Sequence, residues 1–433
     1  MRERLKTGVL TALVISSVIL TGLLLFGQPP LETAAPPAYE RLVFGELRPV
    51  SQHVLPQLRL TTEDSLRVLQ PWHENHALAW EIIIDLFSHS STPQQAQLPD
   101  NLPEHGVSAR FPVPAQPGLW LPAARPASLE IIEMAWFSGD PNTVWYAGSD
   151  GEWYSSRLAQ LPENWEDILA EVFAGSNRYL ATEADDWGSL TVGQTVFIPA
   201  EMPVMAVHAV SREDLDKEKL LRSIFVDSAL VRQIQERDGA YIYTDGQRGL
   251  RIFEHGELEY TSPKSEPGLE PMETMQALRR TAQYLQLMGG WPEHLFLQAF
   301  SATSKLNWNS RQWNTYTVSF FSVQQGYPFV TVNPPVILRF SDRGVIDYKR
   351  QIVLLDGPSA KPRKLLDPRK AAAVAADRLI IGGGEAALVE VYPAFYLDGL
   401  RQPAAQPVWI LHMENNKRAV IHGHTGSFLA WLE

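Results

Sequence analysis

Residues 8–26, GVLTALVISSVILTGLLLF, run for 19 positions without a charge. As a helix this stretch is roughly 29 Å long, about the thickness of a bilayer core. Arg2, Arg4 and Lys6 precede it against one acid, Glu3, and Gly27-Gln28-Pro29-Pro30 follow as a helix stop. Lys and Arg stay on the cytoplasmic side, which predicts a single-pass protein of the cell membrane. Residues 1–7 are then a cytoplasmic tail, 8–26 a transmembrane helix, 27–38 a linker, and the rest extracytoplasmic. A cleavable signal has a shorter apolar core and a small-x-small site. Here Thr33-Ala34-Ala35 is followed by Pro36-Pro37, unfavourable for cleavage, so the anchor is expected to persist. Gly8, Ala12 and Ser16 lie four apart, a ladder of small residues on which another membrane helix can pack closely.

Whatever lies beyond the anchor is acidic. The chain carries a net charge of −12. The tail holds three of the 37 cations and one of the 49 acids, leaving −14 outside it. That argues against nucleic acid as a partner and against adhesion to anionic lipid or teichoic acid surfaces. An apolar content of 45% with 13 Trp supports folded cores. The absence of Cys removes disulfides, thiol catalysis, Cys-based metal sites and a lipidated N-terminus.

The length of 433 residues suggests two to four domains, and three extracytoplasmic units can be drawn. In the first, 39–205, Thr61 or Thr62 caps a short helix through Leu66, Leu69 and Gln70. Residues 80–87, WEIIIDLF, read as a buried strand or a short helix, and 94–126 as an irregular surface excursion rich in Pro and Gln. Residues 129–136 and 143–147 are strands, with a turn at 148–151 into Glu152-Trp153-Tyr154. Trp165, Ile168, Leu169, Val172 and Phe173 recur at helical spacing after Pro162, closed by Gly175, and 192–198 is a strand.

The second unit, 206–355, opens on Ser211 as a helix cap before Leu215, Leu220, Leu221, Ile224 and Phe225. Asp227 caps a further turn with Leu230, Val231 and Ile234. Residues 240–253 form a hairpin about Asp245-Gly246, extended by 257–260. A helix carries Met272, Met275, Leu278, Ala282 and Leu285 and stops at Gly289-Gly290. Tyr316, Val318 and Phe320 mark a half-buried strand, and 336–340 pairs with 345–353. The third unit, 356–433, starts with Asp367 as cap and Pro368 at the first helical position, is released at Gly382-Gly383-Gly384, and continues in strands 388–396, 408–414 and 418–422. Pro335-VILRF-SDRG-VIDYKR and Pro407-VWILH-MENN-KRAVIH share one plan. The expected fold is α+β, the last two domains each a helix packed on an antiparallel sheet.

Residues that could carry chemistry do not assemble into a known constellation. His73-Glu74-Asn75-His76 lacks the i, i+4 spacing of zinc hydrolases. His422-Gly423-His424 has no visible third ligand, Gly382-Gly383-Gly384 lacks a phosphate loop's Lys, and Asp245 fits a hairpin tip. No Gly-x-Ser-x-Gly occurs. The reading assigns no catalytic, cofactor-binding or metal residue. Trp120, Trp153, Trp187, Trp291, Trp308 and Trp313 suit glycans if exposed, core if not.

Three features together resemble the YycH family: the short tail with one anchor; residues 223–260, SIFVDSALVRQIQERDGAYIYTDGQRGLRIFEHGELEY, with a DG-x-R-G-L hairpin and an E-Y strand; and Gly326-Tyr327-Pro328 before the 336–353 hairpin. The resemblance implies a membrane-anchored, non-enzymatic accessory regulator of the YycG/WalK sensor histidine kinase, with a three-domain exterior. It also implies a YycI-like partner and kinase contacts made partly through the anchor helix. An extracytoplasmic envelope hydrolase and a passive glycan- or peptide-binding module are the alternatives.

Overall fold

The structure, a computed structural model, describes residues 42–432 together with Ser16. Excepted are 63–64, 100–104, 122–128, 162–163, 194, 226, 228–229, 266–269, 293, 307–311, 384–385 and 400–403. The expected spanning segment 8–26 lies outside the described residues apart from Ser16. No helix among the described residues is long and apolar enough to cross a membrane.

The first sheet has nine strands: β1 (Gln57–Thr62), β2 (Ser65–Leu69), β3 (Gln94–Gln95), β4 (Gly106–Ala115), β5 (Ile131–Phe137), β6 (Thr143–Gly148), β7 (Trp153–Arg157), β8 (Asn177–Thr182) and β9 (Val196–Pro199). Their order is β3-β7-β6-β5-β4-β1-β2-β8-β9. Helices α1 (His76–Ser88) and α2 (Trp165–Ala174) cover one face. Ile83, Leu86, Leu169 and Phe173 bury there against Leu58, Val107, Met134 and Trp136. Trp136 meets Trp165 edge-on, ring centroids 4.6 Å apart. The other face carries a register row Gln57–Arg110–Glu133.

Two expectations fail here. The stretch 61–70 is a β-hairpin rather than a capped helix, with Leu58 opposite Leu69 and Thr62 opposite Ser65. Over so few residues helical and alternating spacings coincide, and pairing with β1 and β8 decides. The supposed surface excursion contains β4, which lies between β1 and β5 inside the sheet. Its Val107, Ala109, Phe111, Val113 and Ala115 alternate inward. Pro112 and Pro114 are tolerated because the β4–β5 ladder is broken between Arg110 and Ala115. The ambiguous 80–87 stretch is helical, within α1.

The second sheet comprises β11 (His208–Arg212), β12 (Arg232–Gln235), β13 (Tyr241–Thr244), β14 (Gly249–Ile252), β15 (Leu258–Thr261), β16 (Leu295–Leu306), β17 (Gln312–Gln324), β18 (Tyr327–Thr331), β19 (Val336–Ser341), β20 (Gly344–Arg350), β21 (Val353–Pro358), β23 (Leu388–Leu397), β24 (Ala404–Met413), β25 (Arg418–His422) and β26 (Phe428–Leu432). A separate two-stranded ribbon joins β10 (Val204–Met205) to β22 (Arg363–Lys364). The path β12-β13-β14-β15-β20-β19-β17-β18-β23-β24-β11-β21 runs through both the middle and the C-terminal residues. They are joined by a parallel ladder, Phe329 to Phe395, between β18 and β23.

The middle residues carry two helices, as the sequence reads, and the last residues carry two where it reads as one. α3 (Lys217–Ile224) and α4 (Thr274–Leu287) belong to the middle residues, α5 (Pro368–Val374) and α6 (Ala376–Gly383) to the last. On α4, Met275, Leu278 and Leu285 pack with Tyr316, Val318 and Phe340. On α5 and α6, Ala371, Ala375 and Leu379 pack with Trp409, Leu411 and Ala419, and Trp187, Val196 and Ile198 join that second core. The cap of α3 is Asp216, which accepts from the Lys219 N–H. Ser211, expected in that role, sits in β11 and donates to Asp356 at 2.7 Å. Ile234 lies in strand β12, not in a helical turn. The Asp367 cap and Pro368 start are as expected.

One charged residue is wholly interior. Arg350, at the end of β20, is 1% exposed. Its Nε and Nη2 donate to both Glu213 oxygens at 2.7 and 2.6 Å, and Nη1 donates to the Gly290 carbonyl at 2.8 Å. Tyr348 Oη donates to the Met288 carbonyl at 2.8 Å. Burial works against the cation, but Tyr348 and Glu213 outweigh it and raise its affinity for the proton. The fork–fork geometry holds the segment before α3, the end of α4 and β20 together. Arg350→Leu should lower stability by about 3 kcal/mol, because it leaves Glu213 and the Gly290 carbonyl without their donor. Equilibrium urea unfolding measures this. Lys349→Met, which removes the exposed pair with Glu259, should leave the midpoint nearly unchanged.

Candidate functional site

Of the proposed helix-contact residues, Gly8 and Ala12 lie outside the described residues, and Ser16 is helical and exposed. The residues weighed for chemistry are taken up locally. His76 is buried, with Nε2 2.8 Å from the Pro56 carbonyl, while His73 Nδ1 accepts from the Asn75 N–H. The rings of His422 and His424 are 5.8 Å apart, and His424 Nε2 faces the Arg363 carbonyl. No cluster of three metal-ligating side chains occurs among the described residues.

The segments that carry the family likeness have structural work. Asp245 accepts from the N–H groups of Gln247 and Arg248, at 3.0 and 2.8 Å, and from the Arg248 guanidinium. Partial burial opposes its charge, but these donors outweigh it and hold the carboxyl below the usual range. Arg248 Nη1 reaches the Ile224 carbonyl at 2.8 Å, closing the C-terminus of α3, and its guanidinium lies over Phe225. Gly326 accepts from Trp72 Nε1 at 3.0 Å, and Trp72 packs on Phe296 and Phe321. The first sheet's residues are thereby pinned to the β16–β17 hairpin.

A further contact had no signal in the sequence. Residues 42–53 follow the expected linker and lie across the end of α4. The Phe44 N–H donates to the Gln286 carbonyl at 2.8 Å, and Gln286 Nε2 returns a bond to the Gly45 carbonyl at 3.0 Å. Lys219 Nζ sits 4.6 Å from the Phe44 ring centroid. Gly290, at φ +81°, lets the strap approach: a Cβ there would stand 3.0 Å from the Phe44 Cβ and 3.3 Å from its carbonyl oxygen. Next, His53 stacks on Trp291 with ring centroids 3.6 Å apart, and Trp291 meets Phe320 in a T-shaped contact at 5.0 Å. Val50 and Val54 enter the main core. Burial and the nearby Arg48 cation lower His53 to about 4, so it is neutral in this stack at pH 7. The Trp residues that suited glycans are partly used inward, with Trp187 at 4% exposure and Trp291 in this stack.

These features define an α+β protein of two antiparallel-rich sheets whose N-terminal strap is fastened to its middle strands. Residues 193–365 match the family model described as YycH protein, C-terminal domain. The fold is similar to the crystal structure of YycH from Bacillus subtilis, with a TM-score of 0.59 at 10% identity, covering 88% of this chain and 99% of that one. An uncharacterized protein from Eubacterium rectale scores 0.38 at 11% identity, over 58% of this chain and 93% of its own. The Bacillus megaterium YpeB C-terminal domain scores 0.30 at 12% identity, over 51% of this chain and 97% of its own. No curated protein sequence matches.

Gly290→Ala should detach the strap, since both the positive φ and the Phe44 contact resist a Cβ. Amide hydrogen exchange at Phe44 is expected to quicken while exchange in β19 and β20 stays slow. Acid should loosen the same place. His53 binds its proton less readily folded than unfolded, so its contribution is full above its ordinary value of 6.5 and declines as pH falls towards about 4. Exchange at 42–53 should rise across that window in the native chain, and His53→Phe should flatten the dependence.

Proposed function

We propose that this chain is a non-enzymatic, membrane-anchored accessory regulator of a sensor histidine kinase of the YycG/WalK type, working with a YycI-like protein. The observation that carries the reading is the strap. Residues 42–53 follow the expected linker 27–38 with three residues between, and they are bonded to α4 and packed on Gly290 inside the matched family domain. A displacement of that domain is therefore passed through these bonds to within a few residues of the linker that leads to the anchor. The match of residues 193–365 to the YycH C-terminal domain supports the choice of partner.

In this reading residues 8–26 form the single anchor, with the N-terminus cytoplasmic and residues from 39 onward outside. Gly8, Ala12 and Ser16 form the face that packs on kinase helices. Binding of the outer domains to a partner biases the anchor and so the two signalling arrangements of the kinase. A coupling of only about 1–3 kcal/mol changes kinase output severalfold or more.

Exchanging residues 8–26 for an unrelated single-span helix tests the proposal in cells. Co-purification with the kinase should weaken and transcription from kinase-controlled promoters should change. Unchanged output and unchanged co-purification would remove the helix contact from the account. Phe44→Ala, which leaves the anchor intact but loosens the strap, should alter output while sparing co-purification.

A further inference from the structure

On the face of the first sheet away from α1 and α2 lies a cavity of about 180 Å³. Its walls include Arg59, Thr61, Ser108, Glu133, Phe137 and Phe197. The placement follows from the ladder. Arg59 on β1 stands opposite Ser108 on β4, and Glu133 on β5 stands opposite Arg110, so both charges project from one face two strands apart.

Arg59 is half-buried, and its Nε donates to Gln57 Oε1 at 2.7 Å. Among the described residues its two terminal nitrogens form no hydrogen bond, and neither Arg59 nor Glu133 closes a salt bridge. Arg110, the cross-strand neighbour of Glu133, is exposed and forms none with it. On β23, Glu390 lies 3.9 Å from the His412 ring. Burial and Arg110 lower the Arg59 pKa, partly offset by Glu390 and Glu133. Glu390 and Glu133 thus face the Arg59 guanidinium without closing on its fork, which leaves the fork and the Glu133 carboxylate open to a small ligand in the recess.

Size and chemistry narrow the occupant. The cavity is well below the roughly 300 Å³ at which drug-sized pockets begin. A simple anion would answer Arg59 and be repelled by Glu133. We propose that this cavity binds a small zwitterion of the amino-acid class, its carboxylate on the Arg59 fork, its ammonium on Glu133 and its side chain against Phe137 and Phe197. A guanidinium presents two parallel donors that match a carboxylate, and Thr61 and Ser108 add hydroxyls. The inference stands whether or not the chain engages a kinase.

The test uses the full-length chain in detergent micelles, titrated calorimetrically with each of the common amino acids and followed by thermal unfolding. One or more apolar amino acids should bind saturably and raise the melting temperature. The methyl ester, which lacks the carboxylate, and the N-acetyl form, which lacks the ammonium, should each bind roughly tenfold more weakly or worse. These comparisons need no change to the protein. In Glu133→Gln, a nearly isosteric change, the preference for the free amine over the N-acetyl form should vanish. In Arg59→Gln, the preference for the acid over the ester should vanish. Absence of binding by any amino acid at millimolar concentration overturns the proposal. So does equal binding of acetate or N-acetyl forms, or binding that survives unchanged in both variants.

Discussion

The Arg350 guanidinium is the point on which the middle of the molecule turns. It is a fully buried cation, and such a charge is tolerated only where every donor finds an acceptor. Glu213 supplies two oxygens, and the Gly290 carbonyl supplies another acceptor. Those acceptors come from the segment before α3 and from the end of α4. The pair therefore fixes where both elements meet β20. Gly290 then has two duties. Its carbonyl holds Arg350, and its bare Cα admits Phe44. The strap and the interior thus share one residue, and that sharing gives the strap a rigid seat.

The first sheet shows how one set of strands can serve two ends. Its helix-covered face is a dry aromatic and aliphatic core, from Trp80 and Phe111 through Trp136 and Trp165. Its other face keeps Gln57, Arg59, Arg110 and Glu133 in neighbouring positions. Strict alternation along β1, β4 and β5 separates the two. At the edge of this sheet β9 buries Val196 and Ile198, with Trp187 before it, in a core shared with Trp409 and Leu388, so the first and last units share a core.

Local chemistry made much of this fold legible. The Asp245-Gly246 turn, the Asp367-Pro368 start, the Gly175 stop and the apolar stripe of α4 are each written within about fifteen residues. Misreadings arose where a partner distant in sequence decides. Residues 61–70 have a spacing that serves helix or strand, and β8, over a hundred positions away, settles it. β4 is rich in proline and reads as loop, yet its prolines fall where the ladder is interrupted. Ser211 looked like a cap, but β21 and β24 draw it into a strand, and Asp216 caps instead. The strap was illegible for the same reason. Phe44 and Gln286 are far apart in the chain, and neither carries a mark of the other.

By itself, the sequence determined the charge balance, the α+β class and the turns that punctuate the middle and last units. These depend on residue chemistry and on neighbours a few positions away. Tertiary structure alone decided that the middle and last strands form one hydrogen-bonded path, that α4 seats the N-terminal strap, and that Arg59 and Glu133 share a recess. Each is a meeting of residues that loop closure must bring together, and only the folded chain fixes which of many such meetings occurs.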